Sequence, residues 1–151
     1  MHTIASVLSE KSRAVHTFAP EATVLNAARQ MNELHIGALV VTEGPRVLGI
    51  FTERDVLNRV VAAQLEPAKT TVREVMTAPV VVCEPSATRA DCRALMTARR
   101  VRHLPVVDRG RLIGVVSIGD LLKDEGIEQA ETINYLFEYM HGEWRQPVGS
   151  V

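Results

Sequence analysis

Two nine-residue stretches carry the residues best suited to chemistry. Gly49-Ile50-Phe51-Thr52-Glu53-Arg54-Asp55-Val56-Leu57 and Gly114-Val115-Val116-Ser117-Ile118-Gly119-Asp120-Leu121-Leu122 follow one pattern: Gly, two apolar residues, a hydroxyl, two variable positions, Asp, two apolar residues. A hydroxyl followed three residues later by an acid, at the start of a helix, can do two things. It can close a capping box, in which the hydroxyl accepts from one backbone amide and the carboxylate folds back onto another. The same corner can also serve a ligand. Free amides and the positive end of the helix dipole attract an anion, the hydroxyl reaches a phosphate or a base edge, and the carboxylate accepts from both hydroxyls of a ribose. Spacing leaves both readings open. The doubling adds weight to the second, because two such corners in a pseudo-twofold tandem would flank one shared cleft.

The stretches lie 65 residues apart, and the offset holds without a gap over most of the chain. Pro20, Ala22, Thr23, Met31, Leu39, Val41 and Arg46 find Pro85, Ala87, Thr88, Met96, Leu104, Val106 and Arg111. A repeat of this length marks a tandem of two like units. Upstream the offset changes: Thr3 to Leu8 match Thr71 to Met76 at 68, so the first unit carries three extra residues within 10–13.

Periodicity then places the elements. Apolar residues at 4, 7 and 8 predict a short amphipathic helix, matched by 71–76. Val15 to Phe18 reads as a strand, and Thr23 caps a helix through about Leu34 with Val24, Ala27, Ala28 and Met31 on one face. Residues 38–41 and 47–51 form a strand pair around a Gly44-Pro45 turn, and a helix runs from Thr52 to about Val61. The second copy predicts strands at Val80 to Cys83, Leu104 to Val107 and Leu112 to Val116, with helices over Asp91 to Arg99 and from Ser117. Pro105 removes one ladder donor, which suits an edge or a bulge. The expected organisation is an α/β (α+β) pair of β-α-β-β-α units. Unit 1 covers 3–62, a polar linker 63–70 and unit 2 71–123, followed by a C-terminal helix over 124–141 and a flexible tail over 142–151.

Composition bounds the function. A net charge of −1 and 4 % aromatic residues give neither an electrostatic footprint nor stacking platforms for nucleic acid. No apolar run approaches the ~20 residues that span a bilayer, and the N-terminus lacks a signal-peptide pattern, which predicts a cytoplasmic protein without a membrane partner. Cys83 and Cys92 match neither a redox C-x-x-C pair nor a zinc knuckle and read as buried free thiols. His2, His35 and His141 read as surface residues, and no metal site is expected. No nucleophile-base order and no Walker or Rossmann glycine signature points to catalysis.

Both units resemble cystathionine-β-synthase-type (CBS) domains, and the pair resembles a Bateman module. The resemblance covers residues 3–122. It rests on the two Gly-x-x-Thr/Ser-x-x-Asp corners, on Val101-Arg102-His103-Leu104-Pro105-Val106-Val107-Asp108, and on Val75-Met76-Thr77-Ala78-Pro79. The short chain is similar to stand-alone bacterial CBS pairs. The family implies a regulatory module without catalysis that binds AMP, ADP or ATP, sometimes NAD(H) or S-adenosylmethionine. By that resemblance Asp55 and Asp120 each hold a ribose, Thr52 and Ser117 lie near phosphate or base, and Ile50 and Val115 wall the purine. Val80, Val101, Arg102 and His103 would join the Asp55 site, and His16, Ile36, Gly37 and Ala38 the Asp120 site. Because Gly37 and Ala38 stand where the other copy has Arg102 and His103, unequal sites are expected, with the Asp55 site favouring a phosphorylated ligand. Arg54 and Arg73 are further phosphate candidates, with solvated arginines as the plainer reading.

Two other classes compete with a nucleotide sensor: a structural or partner-binding pair whose corners are only helix caps, and an enzyme acting on a nucleotide. Ile133, Leu136, Phe137 and Met140 form an apolar stripe ending near Trp144, which predicts a homodimer through the C-terminal helix and a route to a regulated partner protein.

Overall fold

The computed structural model describes residues 3–11 and 15–123. The expected C-terminal helix and tail, with the dimer assigned to them, lie outside the described residues.

Caps and apolar spacing set the helices. α1 (Ile4–Lys11) buries Ile4 and Val7. α2 (Val24–Leu34) starts on Thr23, whose hydroxyl accepts from Asn26 N–H at 3.2 Å, and it buries Val24, Ala27 and Met31. α5 (Arg89–Arg99) repeats that design behind a Thr88–Asp91 capping box, with Cys92 and Met96 inward. Both long helices end on a left-handed residue, His35 (φ 54) and Arg100 (φ 55), which turns the chain into the next strand.

Each unit then folds a hairpin. β2 (Ala38–Glu43) and β3 (Arg46–Thr52) pair antiparallel around Gly44 (φ 57), as do β4 (His103–Asp108) and β5 (Arg111–Ser117) around Gly110 (φ 78). Both hairpins slip register at matching points, between Val41 and Thr42 and between Val106 and Val107. β1 (Thr17–Phe18) adds a parallel strand to β2.

Its counterpart, expected at Val80 to Cys83, is reduced to one parallel bridge from Cys83 to Val106. Val107 N–H donates to Cys83 O at 2.9 Å, and the next donor along that edge would be Pro105, which has no N–H to give. The proline thus sits on the outer edge of β4, as expected, and shortens the strand beside it.

Short helices follow each hairpin: α3 (Glu53–Asp55) after β3, and α6 (Ile118–Leu122) after β5. The helix expected from Thr52 to Val61 changes pitch, because Val56–Val61 winds as a π-helix, with Ala62 N–H donating to Leu57 O at 3.0 Å. α4 (Val72–Val75) opens the second half.

Two cores result, and they do not coincide with the two chain segments. One gathers Val24, Ala27, Met31, Leu39, Val41, Phe51 and Val60, but also Val72 and Val75 of α4. The other gathers Cys83, Cys92, Met96, Leu104, Val106, Val116 and Leu121 with Ile4 and Val7 of α1. Each unit's leading helix packs into the other unit's core. The docking bonds repeat: Ile4 N–H to Ala87 O and Ala5 N–H to Pro85 O, both at 2.9 Å, match Val72 N–H to Ala22 O at 2.8 Å and Arg73 N–H to Pro20 O at 3.0 Å. This exchange ties the halves together and carries the end of each leading helix to the other unit's Gly-x-x-Thr/Ser-x-x-Asp corner.

Candidate ligand-binding site

Both corners close as capping boxes. Thr52 Oγ1 accepts from Asp55 N–H at 3.3 Å, while Asp55 Oδ2 accepts from Thr52 N–H at 3.0 Å. Ser117 Oγ accepts from Asp120 N–H at 3.2 Å, and Asp120 Oδ2 accepts from Ser117 N–H at 2.8 Å. The motif therefore positions each carboxylate through its own helix start, and what else reaches the carboxylate decides its chemistry.

At the first corner the segment after α4 supplies the partners. Thr77 N–H donates to Ile50 O at 2.8 Å, and its hydroxyl donates to Asp55 Oδ1 at 3.0 Å. Arg59 Nε lies 3.6 Å from the same oxygen. Asp55 is buried, 6 % exposed, with both oxygens engaged.

At the second corner a single side chain from α1 reaches both the strand carbonyl and the carboxylate. Lys11 Nζ donates to Val115 O and to Asp120 Oδ2, each at 2.7 Å. Burial alone would raise the Asp120 carboxyl, but the hydrogen bonds of Lys11 and Ser117 and the lysine charge outweigh it, leaving it below the usual carboxylate range.

A cavity of about 690 Å³ opens onto this second corner, within the range of small-molecule sites. The structure brings all seven residues expected around Asp120 to its lining: His16, Ile36, Gly37, Ala38, Val115, Ser117 and Asp120. Among the described residues of its lining, Lys11 is the only lysine or arginine and Asp120 the only carboxylate. His103, expected at the Asp55 corner, lines this cavity too, as the cross-strand partner of Ser117. Burial pushes its imidazole down to about 4, Lys11 and Arg102 push the same way and Asp120 opposes, so it is neutral at pH 7.

The other residues expected around Asp55 are scattered. Val101 packs against the second core, Val80 is half-buried, and Arg102 O accepts from Ile118 N–H at 2.9 Å. Arg54 is exposed on α3. Arg73 does not serve the corner: it pairs with Glu21 at 3.1 Å and Glu43 at 3.4 Å. Glu43 lies at the turn end of its hairpin, five residues from the Ala38–Thr52 end, or about 16 Å along the strand. Two opposed carboxylates hold Arg73 there.

Sequence reasoning missed Lys11 and Thr77. The signal for Lys11 was the three-residue excess at 10–13, which marks where the halves stop matching. Thr77 lay inside a quoted motif but outside the corner pattern. His35 was read as a surface residue; it is exposed, and it also stands on the cavity rim. Cys83 and Cys92 are buried neighbours, with burial and the partner thiol pushing Cys83 up to about 12. Among the described residues, no group of three His, Cys, Asp or Glu could hold a metal ion, and no helix is long and apolar enough to cross a membrane.

Comparison with known proteins matches this geometry to a family. The CBS domain family model fits twice, over residues 6–62 and 72–125. The chain is 35 % identical over 118 residues to the CBS domain-containing protein YhcV of Bacillus subtilis, covering 78 % of this chain and 84 % of that one. The crystal structure of a CBS-domain containing protein from Agrobacterium tumefaciens superposes with a TM-score of 0.76 at 38 % identity, over 81 % of this chain and 98 % of that one. The hexameric CBS-CP12 protein of bloom-forming cyanobacteria superposes with a TM-score of 0.72 at 25 % identity, over 93 % and 86 % of the two chains.

Proposed function

Since this chain belongs to the CBS-domain family, as a tandem pair of CBS units, we propose that it is a regulatory module binding an adenosine-containing nucleotide, AMP first among them, in the cavity at Asp120. CBS pairs are generally regulatory or sensor modules, and no catalytic family is indicated. The observation that carries the reading is convergence: seven residues from both halves, Asp120 with its carboxylate among them, line one cavity of about 690 Å³. Val115, Ile36 and Ala38 offer apolar walls for a purine, and Asp120 offers an acceptor for ribose hydroxyls. ADP, ATP and NAD(H) share that adenosine core. Bound ligand would bridge the two halves and act by favouring one arrangement of them over another. Self-association fits the same reading, as the cyanobacterial CBS-CP12 protein is hexameric; a homodimer passing the signal to a regulated protein is the arrangement we favour.

One observation favours a purely structural role for the other corner. Asp55 is buried with both oxygens engaged, so the first capping box serves as a helix start and brace.

Thermal unfolding against AMP, ADP, ATP, NAD+, NADH and S-adenosylmethionine tests both statements. Ligand at a hundred times its Kd stabilises by about 2.7 kcal/mol and raises Tm by several degrees. Asp120→Ala abolishes that response, whereas Asp55→Ala lowers the starting Tm and keeps it. A flat response of the native protein to the whole panel refutes the reading.

A further inference from the structure

The two corners differ in what bonds the strand carbonyl and the carboxylate. Beside Asp55, a backbone amide and a hydroxyl of the same residue, Thr77, bond Ile50 O and Asp55 Oδ1. Beside Asp120, the ammonium of Lys11 alone bonds both Val115 O and Asp120 Oδ2. A backbone amide cannot leave without moving the chain. An ammonium on a four-carbon stem can swing away, and its three donors let it keep one acceptor while exchanging another.

The charge inventory of the cavity says what exchange is possible. Among the described residues that line it, Lys11 and Asp120 are the only lysine, arginine or carboxylate, 24 % and 12 % exposed, and His103 is neutral. Lys11 and the Ser117 N–H both bond Oδ2, so a ligand whose paired hydroxyls take both carboxylate oxygens displaces the ammonium from Oδ2, leaving a half-buried cation without its counterion, which is unfavourable. A ligand that also brings an anion replaces the lost carboxylate. Lys11 arises at the one place where the repeat breaks, among the extra residues of the first unit.

We propose that Lys11 is the specificity determinant of this cavity: it holds Asp120 in the free protein and passes to the phosphate when ribose hydroxyls take the carboxylate, so that phosphorylated nucleosides are selected over neutral ones. The proposal rests on the nucleotide reading above and reassigns the phosphate preference from the Asp55 corner to the Asp120 corner.

Isothermal titration of the full chain with AMP and with adenosine tests it, on the native protein, Lys11→Gln and Lys11→Arg, with Tm as the check on folding. The native protein prefers AMP by about ten- to a hundredfold, as one charge-assisted hydrogen bond supplies. Lys11→Gln, whose amide still reaches an acceptor, weakens AMP by about that factor and leaves adenosine equal or tighter, so the ratio falls towards one. Lys11→Arg retains the preference. An unchanged ratio in Lys11→Gln, or native binding of adenosine as tight as AMP, overturns the role of Lys11 while the nucleotide reading stands. Absence of binding by either compound to folded native and Lys11→Gln protein refutes the nucleotide reading and the proposal with it.

Discussion

The corner at Asp55 and the corner at Asp120 begin from the same nine-residue pattern and the same capping box, yet one is braced and the other is open. The difference arises outside the motif, in the residue delivered by the exchanged leading helix. Thr77 delivers a fixed amide and a neutral hydroxyl; Lys11 delivers a mobile charge. Duplication supplies two equal scaffolds, and a short insertion makes one of them into a cavity with a charge to exchange. The motif alone therefore does not identify a binding site. What reaches each carboxylate sets the two corners apart.

The largest effect that separates the corners is the pH dependence that His103 gives the second. His103 lines the Asp120 cavity, while Ala38 holds the matching position in the first half. The charged groups facing His103 are Lys11 from α1, Asp120 from α6 and its neighbour Arg102, and His16 and His35 share the cavity. Its folded value of about 4 lies below the ordinary 6.5, so the unfolded chain takes up the proton first. Stability is full above pH 6.5 and is lost as pH falls from 6.5 to 4, by on the order of 3 kcal/mol. Asp120, held below the ordinary 3.8, adds its loss only at still lower pH. Urea unfolding at a series of pH values should show this slope in the native protein and a flattened one in His103→Gln. Equal slopes would mean the imidazole is as well solvated as in the unfolded chain.

A smaller effect compares how tightly each corner is packed. A Cβ at Gly49 would lie 2.7 Å from Thr77 O and 2.8 Å from Met76 Sδ. The three atoms nearest a Cβ at Gly114 all belong to the side chain of Leu8, whose Cδ2 lies at 2.6 Å. The first clash is with backbone that is itself bonded to Ile50; the second is with the end of a side chain that can rotate. Gly49→Ala should cost about 1–3 kcal/mol, as overpacking does, and Gly114→Ala less than about 1 kcal/mol. Chemical denaturation midpoints would rank them, and the reverse order would show that the Asp120 corner is the more rigid.

Much of this architecture was legible because it follows from local pattern. The offset of 65 gave the tandem, hydroxyl caps gave the starts of α2 and α5, and Gly44 and Gly110 marked the hairpin turns. The residues around Asp120 were legible through the family resemblance. What escaped depends on contacts distant in sequence. Lys11 meets Asp120 across 109 residues, a pairing no spacing rule anticipates, and His103 lies in the Asp120 cavity because its strand partner is Ser117. The lost strand at Val80 to Cys83 was written in Pro105, but only once its missing N–H was known to face that edge.

The smallest effect bears on where phosphate-binding charge resides. Arg73 is one of the cations that the sequence offered to the Asp55 corner, and its counterpart in the other half is Ala5, so it is as unmatched as Lys11. The two differ in their surroundings. Lys11 is enclosed beside one carboxylate in a cavity, whereas Arg73 is 49 % exposed between two glutamates that are themselves 71 % and 62 % exposed. Pairs so open to solvent contribute little, because water screens them and holding long side chains costs entropy. Arg73→Ala should change stability by no more than about 0.5 kcal/mol and leave the affinity for AMP within about twofold, a change too small for a lost phosphate contact. Calorimetric titration beside Lys11→Gln makes the comparison direct. A tenfold loss in Arg73→Ala would place the phosphate near the turn end of the first hairpin, and the assignment of the cavity's selectivity to Lys11 would then have to be given up.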